Sequence, residues 1–201
     1  MPLRRTLLAA FPLLCLGASA LAQSNQMVRL RGTITAMSPS SITLATREGD
    51  TLTLKRDSNL AVTAVIPANL GDISPGSYVG VTAVPQPGGT LRALEVHIFP
   101  EASRGAGEGS RPWDLEPQSI MTNGAVASVV GTQGRTITVN YRTGEKTIVV
   151  PDNIPIVTFE PGNGFMLVPG AHVIITATKA ADGSLTATRV SIGKDGLVPP
   201  M

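Results

Sequence analysis

The chain repeats itself. Pro75-Gly76-Ser77-Tyr78-Val79 returns as Pro169-Gly170-Ala171-His172-Val173, Thr82-Ala83 as Thr176-Ala177, Leu91-Arg92-Ala93 as Leu185-Thr186-Ala187 and Val96 as Val190, each pair 94 residues apart. Upstream the same order holds: Gly32-Thr33-Ile34 is answered by Gly124-Ala125-Val126, Ile42-Thr43-Leu44 by Ile137-Thr138-Val139, Glu48-Gly49-Asp50 by Thr143-Gly144-Glu145 and Val62-Thr63 by Val157-Thr158. A repeat of this kind means one supersecondary unit used twice. Whatever the unit is, the chain must build two of them.

The unit is β. Aromatic residues are only 3% of the chain, so the core must be aliphatic. Threonine is plentiful beside Val and Ile, and β-branched side chains suit a pleated, half-buried surface. Short alternating runs are broken by Gly and Pro, which is the all-β signal. The strands of the first unit are expected at Leu30–Ala36, Ile42–Leu44, Thr51–Leu54, Tyr78–Val84 and Leu91–Phe99, with a tight turn at Arg47-Glu48-Gly49-Asp50. Ile66 to Ile73 breaks the alternation and predicts a single helical turn with Pro67 at its first position. In the second unit, Phe159-Glu160-Pro161-Gly162-Asn163-Gly164-Phe165 replaces that turn with a Gly/Pro loop.

Five or six strands with one irregular segment before the fourth resemble the OB fold, a five-stranded, partly open Greek-key barrel. Gly in the first strand, a turn, Pro-Gly-x-x-Val and a last strand also resemble secreted bacterial tandem repeats of unknown function. That likeness covers Val28–Phe99 and Met121–Lys194. Some members of that group carry the label of a metal transporter permease. No apolar stretch after residue 22 approaches the ~20 residues a spanning helix needs. Architecture alone does not imply function.

The ends and the middle differ from the repeats. Arg4 and Arg5, an apolar run from Leu7 to Leu16 and Ala20-Leu21-Ala22 follow the order of a secretory signal peptide, predicting cleavage between Ala22 and Gln23. Cleavage would remove Cys15, the only cysteine, and both arginines, taking the formal net charge from +2 to zero. The exported chain would then have no disulfide, no thiolate metal ligand and no Cys nucleophile. It would also lack the basic footprint of a nucleic-acid binder. Pro100 to Gln118 is rich in Gly, Pro and small residues, as linkers are. The expected organisation is all-β: a signal peptide at 1–22, two tandem small OB-like β-barrels at 28–99 and 121–194, a Gly/Pro-rich linker at 100–120 joining them, and a tail at 195–201.

Chemistry is sparse. His97 and His172 occupy non-equivalent positions, and His97, between Val96 and Ile98, is expected to face solvent. Two unmatched histidines do not supply the three or four ligands of a zinc site. There is no G-x-S-x-G elbow, and Gly131-Thr132-Gln133-Gly134 reads as a hairpin turn rather than a phosphate loop. No catalytic residue, metal or cofactor is indicated. Four residues stand out as partner or ligand contacts: Trp113 and Asp114 in the linker, and Phe159 and Phe165 in the second unit's loop. Trp is enriched at binding hot spots, although Trp113 packed onto one barrel would instead fix the angle between the two. The loop phenylalanines equally suit local packing over a barrel end. The expected activity is therefore a non-enzymatic binding or adaptor module of the envelope, with an envelope protein or small ligand as partner. A ligand carrier or enzyme with a site between the repeats, and an envelope structural protein, are the alternatives.

Overall fold

The computed structural model describes residues 26–130 and 135–200. The expected signal peptide, Cys15 and the Gly131–Gly134 turn lie outside the described residues. The chain is all-β, with strands β1 (Gln26–Met37), β2 (Ser41–Thr46), β3 (Thr51–Pro67), β4 (Tyr78–Pro85), β5 (Leu91–Ile98), β6 (Gly109–Pro112), β7 (Ile120–Val130), β8 (Thr136–Tyr141), β9 (Gly144–Val149), β10 (Ile156–Pro161), β11 (His172–Lys179) and β12 (Leu185–Gly193). Among the described residues no helix is long and apolar enough to cross a membrane.

The strands close two small barrels, and each barrel draws on both repeats. In the first, β1, β2 and β3 from the first repeat form a meander. The hairpin β11–β12 from the second repeat closes it, with β11 antiparallel to β1 and β12 parallel to β3. In the other, β7, β8 and β9 are closed by β4 and β5 of the first repeat, with β4 antiparallel to β7 and β5 parallel to β9 and β10. The fourth strand lies beside the first in each, as in a Greek key, and the fifth shuts the ring. The repeats at 28–99 and 121–194 are thus sequence units, while the barrels are assembled by exchange between them. One barrel, here the inserted barrel, is continuous in the chain from Leu70 to Ile156; the other, the split barrel, is built from both ends.

This corrects the expected role of residues 100–120. They join β5 to β7 inside the inserted barrel, rather than one barrel to the other. The connections between barrels are β3 and β10, whose ends pair antiparallel, Val157 with Pro67 and Pro161 with Thr63. The crossing is nearly two-fold symmetric: Ala68 N donates to Ile156 O at 2.8 Å, and the equivalent Gly162 N donates to Val62 O at 3.1 Å. These bonds make Ile156, rather than Val157, the counterpart of Val62. The expected helical turn also shifts, and the second unit, expected to replace it with a loop, has one as well. Pro67 ends β3, and a single 3-10 turn follows at Leu70–Asp72; the second unit keeps its own at Gly164–Met166. β3 runs unbroken through the crossing, with Asp57–Leu60 looped out of its ladder to β12. Its counterpart is interrupted at Pro151 and Pro155, which cannot donate to a ladder.

The cores show the exchange side chain by side chain. The split barrel buries Ile34, Ile42, Leu44 and Leu54 with Ile175, Val190 and Ile192; the inserted barrel buries Val79, Val81 and Val96 with Val126, Ile137, Val139 and Ile148. Each such side chain contributes about 1.5–3 kcal/mol when fully buried. The repeated glycines have steric causes. Gly76 and Gly170 hold φ near +90° in equivalent turns, where a side chain is strained. A Cβ on Gly32 or Gly124 would lie about 2 Å from the carbonyl oxygen of Ala45 or Asn140.

Candidate functional site

The strand period of two places one set of side chains inside each barrel and the other outside. On the inserted barrel the outward set of β4, β5 and β7 is buried nonetheless. Thr82 and Glu95 are fully buried, and His97 is 3% exposed. The expected solvent-facing His97 is corrected here: it does point out of the barrel, but neighbouring chain covers it. Phe99 meets its ring edge-on with centroids 4.8 Å apart, and Phe159 from β10 does so at 5.6 Å. Opposite it, Gly80 has no side chain, which leaves room for the imidazole. Thr82 Oγ1 donates to Glu95 Oε1 at 2.5 Å, and His97 Nδ1 lies 3.3 Å from Glu95 Oε2. Hydroxyl, carboxylate and imidazole are together, but in the wrong order for nucleophilic catalysis. A nucleophile is activated by hydrogen-bonding its base; here the hydroxyl and the imidazole both bond the carboxylate, in a place closed to substrate. Among the described residues no cluster of three His, Cys, Asp or Glu could hold a metal.

Residues 99–112 provide the cover. The carbonyl of Ala106 accepts from Asn123 Nδ2 at 3.0 Å and from the Tyr78 hydroxyl at 3.4 Å. Burial raises the Tyr78 phenol above its ordinary range. Glu108 Oε1 accepts from the backbone N of Arg142 at 2.8 Å, and β6 then pairs antiparallel with the first half of β7, Gly109 opposite Asn123 and Pro112 opposite Ile120.

The same segment then reaches the split barrel. Asp114 takes a two-pronged bond from Arg31 of β1, at 2.7 and 3.1 Å, and has Arg29 at 3.5 Å. The guanidinium of Arg29 lies 4.0 Å from the centre of the Trp113 ring, and that of Arg111 lies 5.3 Å away. Such contacts contribute roughly 0.5–2 kcal/mol each. The hydrogen bond from Arg31 holds the Asp114 carboxyl below its ordinary range. Desolvation, the largest influence on Arg29, pulls that guanidinium down. The loop is closed on itself by Trp113 N to Ser119 O at 2.8 Å and Ser119 Oγ to Trp113 O at 3.1 Å. Trp113 and Asp114 therefore form one clasp that ties the inserted barrel's covering segment to the split barrel.

The four residues singled out in the sequence do not converge. Trp113 and Asp114 sit together in the clasp, and Phe159 packs against Phe99 with centroids 5.7 Å apart. Phe165 stands alone, 94% exposed, at the end of the split barrel. Its position is nevertheless defined: Asn163 Oδ1 accepts from Phe165 N at 3.0 Å, and the following Leu167 is buried in the core. Val168, half exposed, lies three residues on. Sequence reasoning missed Arg29, Arg31, Glu95 and Asn123. Arg29 and Arg31 alternate along β1 like an ordinary solvated strand face; Glu95 and His97, two apart opposite Thr82, were the only hint of the buried cluster.

Compared with known proteins, residues 31–97 and 123–191 each match the model of a family described as a domain of unknown function (DUF5666). No curated protein and no solved structure matches the chain. The two matched stretches follow the sequence repeats, so each contributes strands to both barrels.

Proposed function

The chain belongs to the DUF5666 family, with two copies of its domain, and from that premise we propose that it is an exported, non-enzymatic binding or adaptor module of the bacterial envelope. Export is supported by the order of Arg4 and Arg5, the apolar run and Ala20-Leu21-Ala22. The observation that carries binding is Phe165. A large ring 94% exposed on a loop whose backbone is capped and whose next residues are anchored is a preformed apolar contact. A flexible side chain would lose more freedom on binding; a ring on a fixed turn loses little. The partner suited to it is an envelope protein with an apolar pocket that takes one aromatic ring.

Two measurements test this. Recovery of the tagged chain from the envelope fraction with Gln23 as its first residue is expected; an intact Met1 in the cytoplasm would sink the export reading. A photo-activated cross-linker at position 165 should capture one protein that the same group at Lys179 does not. Equal capture from both positions, or none from 165, overturns the contact.

A further inference from the structure

We propose that the envelope protein taking up the Phe165 ring also presents a carboxylate beside it, and that Arg56 binds this carboxylate. The inference rests on the Phe165 contact and deepens it by naming a second anchor. It comes from comparing the same end of the two barrels. Arg56 and Val150 are counterparts. Each follows the last pair of a matching ladder, Lys55 opposite Ser41 and Val149 opposite Thr136. Arg56 N then donates to Ser40 O, and Val150 N to Arg135 O, both at 2.8 Å. The two 3-10 turns correspond as well. Ile73 N donates to Leu70 O and Leu167 N to Gly164 O, and Ile73 and Leu167 are both buried. Leu70 is therefore the counterpart of Gly164, and Gly71 that of Phe165.

The inserted barrel is apolar at this end. Val150 is fully buried in its core, and Leu70 packs against that core. In the split barrel an arginine and a glycine stand in their places, and the two fit each other. Arg56 Nη2 lies 3.1 Å from where a Cβ on Gly164 would be, so the bare glycine leaves room for the guanidinium. Phe165, where the inserted barrel has Gly71, then sets an exposed ring directly after that glycine. Arg56 is half-buried, and among the described residues its guanidinium bonds no carboxylate and no carbonyl. The adjacent Asp57 accepts from Asn59 N at 2.7 Å instead. Lys55, one residue earlier, has the Asp182 carboxyl within range of its charge. A guanidinium placed by the fold is a preset fork for a carboxylate, which it holds through two parallel bonds. Aromatic and Arg anchors together dominate the energy of protein interfaces. A ring that stands clear of its own chain needs a pocket to enter, which a protein surface supplies and a small ligand does not. The partner is therefore a protein whose apolar pocket is flanked by an acidic side chain.

The test builds on the cross-linker at position 165 of the tagged chain. The captured protein is purified, its cross-linked segment is located by mass spectrometry, and its affinity is measured for variants that keep Phe165. Expected are an Asp or Glu of the partner beside the cross-linked segment and affinity lower by roughly tenfold or more in Arg56→Gln. Arg56→Glu should bind as weakly, and recover when that partner acid is replaced by lysine. Lys55→Gln, at the exposed neighbour, should change affinity by no more than about twofold. Arg56→Val combined with Gly164→Leu copies Val150 and Leu70 of the other barrel, so folding should be kept while binding falls as in Arg56→Gln. Full affinity in Arg56→Gln or in the double variant overturns the proposal, as does an equal loss in Lys55→Gln, and each of these leaves the Phe165 contact standing. No capture from position 165 overturns both.

Discussion

The two barrels close their five strands in the same order, yet among the described residues only one has the outward faces of these strands sealed by its own chain. On the inserted barrel, residues 99–112 cover the outward faces of β4, β5 and β7, and Glu95 and His97 are buried beneath them. On the split barrel the equivalent positions are Arg189, exposed, and Ser191, half-buried. The extra chain between β5 and β7 exists because the inserted barrel starts at its fourth strand and must return to its first. Connectivity thus places a covering segment between β5 and β7, inside the inserted barrel. Tandem copies that looked equivalent in sequence differ, among the described residues, in how deeply their outward faces are buried.

The sharpest way to break that comparison is truncation after Pro161. The split barrel loses β11 and β12, leaving Ile34, Ile42, Leu44 and Leu54 without the partners that bury them. The inserted barrel, complete between Leu70 and Ile156, keeps every strand. Amide exchange should remain slow across 78–150 and become fast across 28–62. Barrels that followed the repeats would give the opposite: a protected first repeat and an unprotected second.

That exchange was not legible in the sequence, for a physical reason. Both repeats specify the same five strands with the same inward aliphatics, so closing a barrel within a repeat or across repeats buries similar side chains. The difference lies in how the chain turns at 67–69 and 161–163, a local matter of a few dihedrals. Domain swapping in general exploits this near-degeneracy. The repeat itself, the alternation, the turn glycines and the solitary Trp113 were legible because each rests on local periodicity or on composition. The cover over His97 was not, since Val96-His97-Ile98 reports only which way a side chain leaves its own strand.

The next largest effect should come from the buried pair. His97→Ala leaves the Glu95 carboxylate fully buried with the Thr82 hydroxyl as its remaining partner, and opens a gap against Phe99 and Phe159. Leaving a buried hydrogen-bonding group without one of its partners costs about 1–3 kcal/mol, and denaturant unfolding should read a loss of at least that order. Ser191→Ala, at the equivalent position of the split barrel, should change stability by less than about 0.5 kcal/mol. Similar losses at both would mean that the covers are alike and that the contrast between the barrels is wrong.

The smallest effect concerns the clasp that joins the two, and the single tryptophan reports it directly. Asp114 is half exposed, so Asp114→Asn should cost no more than about 1 kcal/mol. Its acid dependence is more telling. Arg31 holds the carboxyl below its ordinary value of 3.8. The stabilisation is complete above that ordinary value and is lost only as the pH falls through the lower, folded one. Trp113 emission should therefore stay constant from neutral pH down to about 4, where unpaired carboxylates already begin to protonate, and shift to the red in stronger acid as the ring leaves Arg29 and Arg111. In Asp114→Asn the red-shifted component should be present at neutral pH and independent of acid down to the same point. A transition centred above pH 4 in the native chain would mean that Asp114 is not held by Arg31, and that the covering segment is free to leave the split barrel.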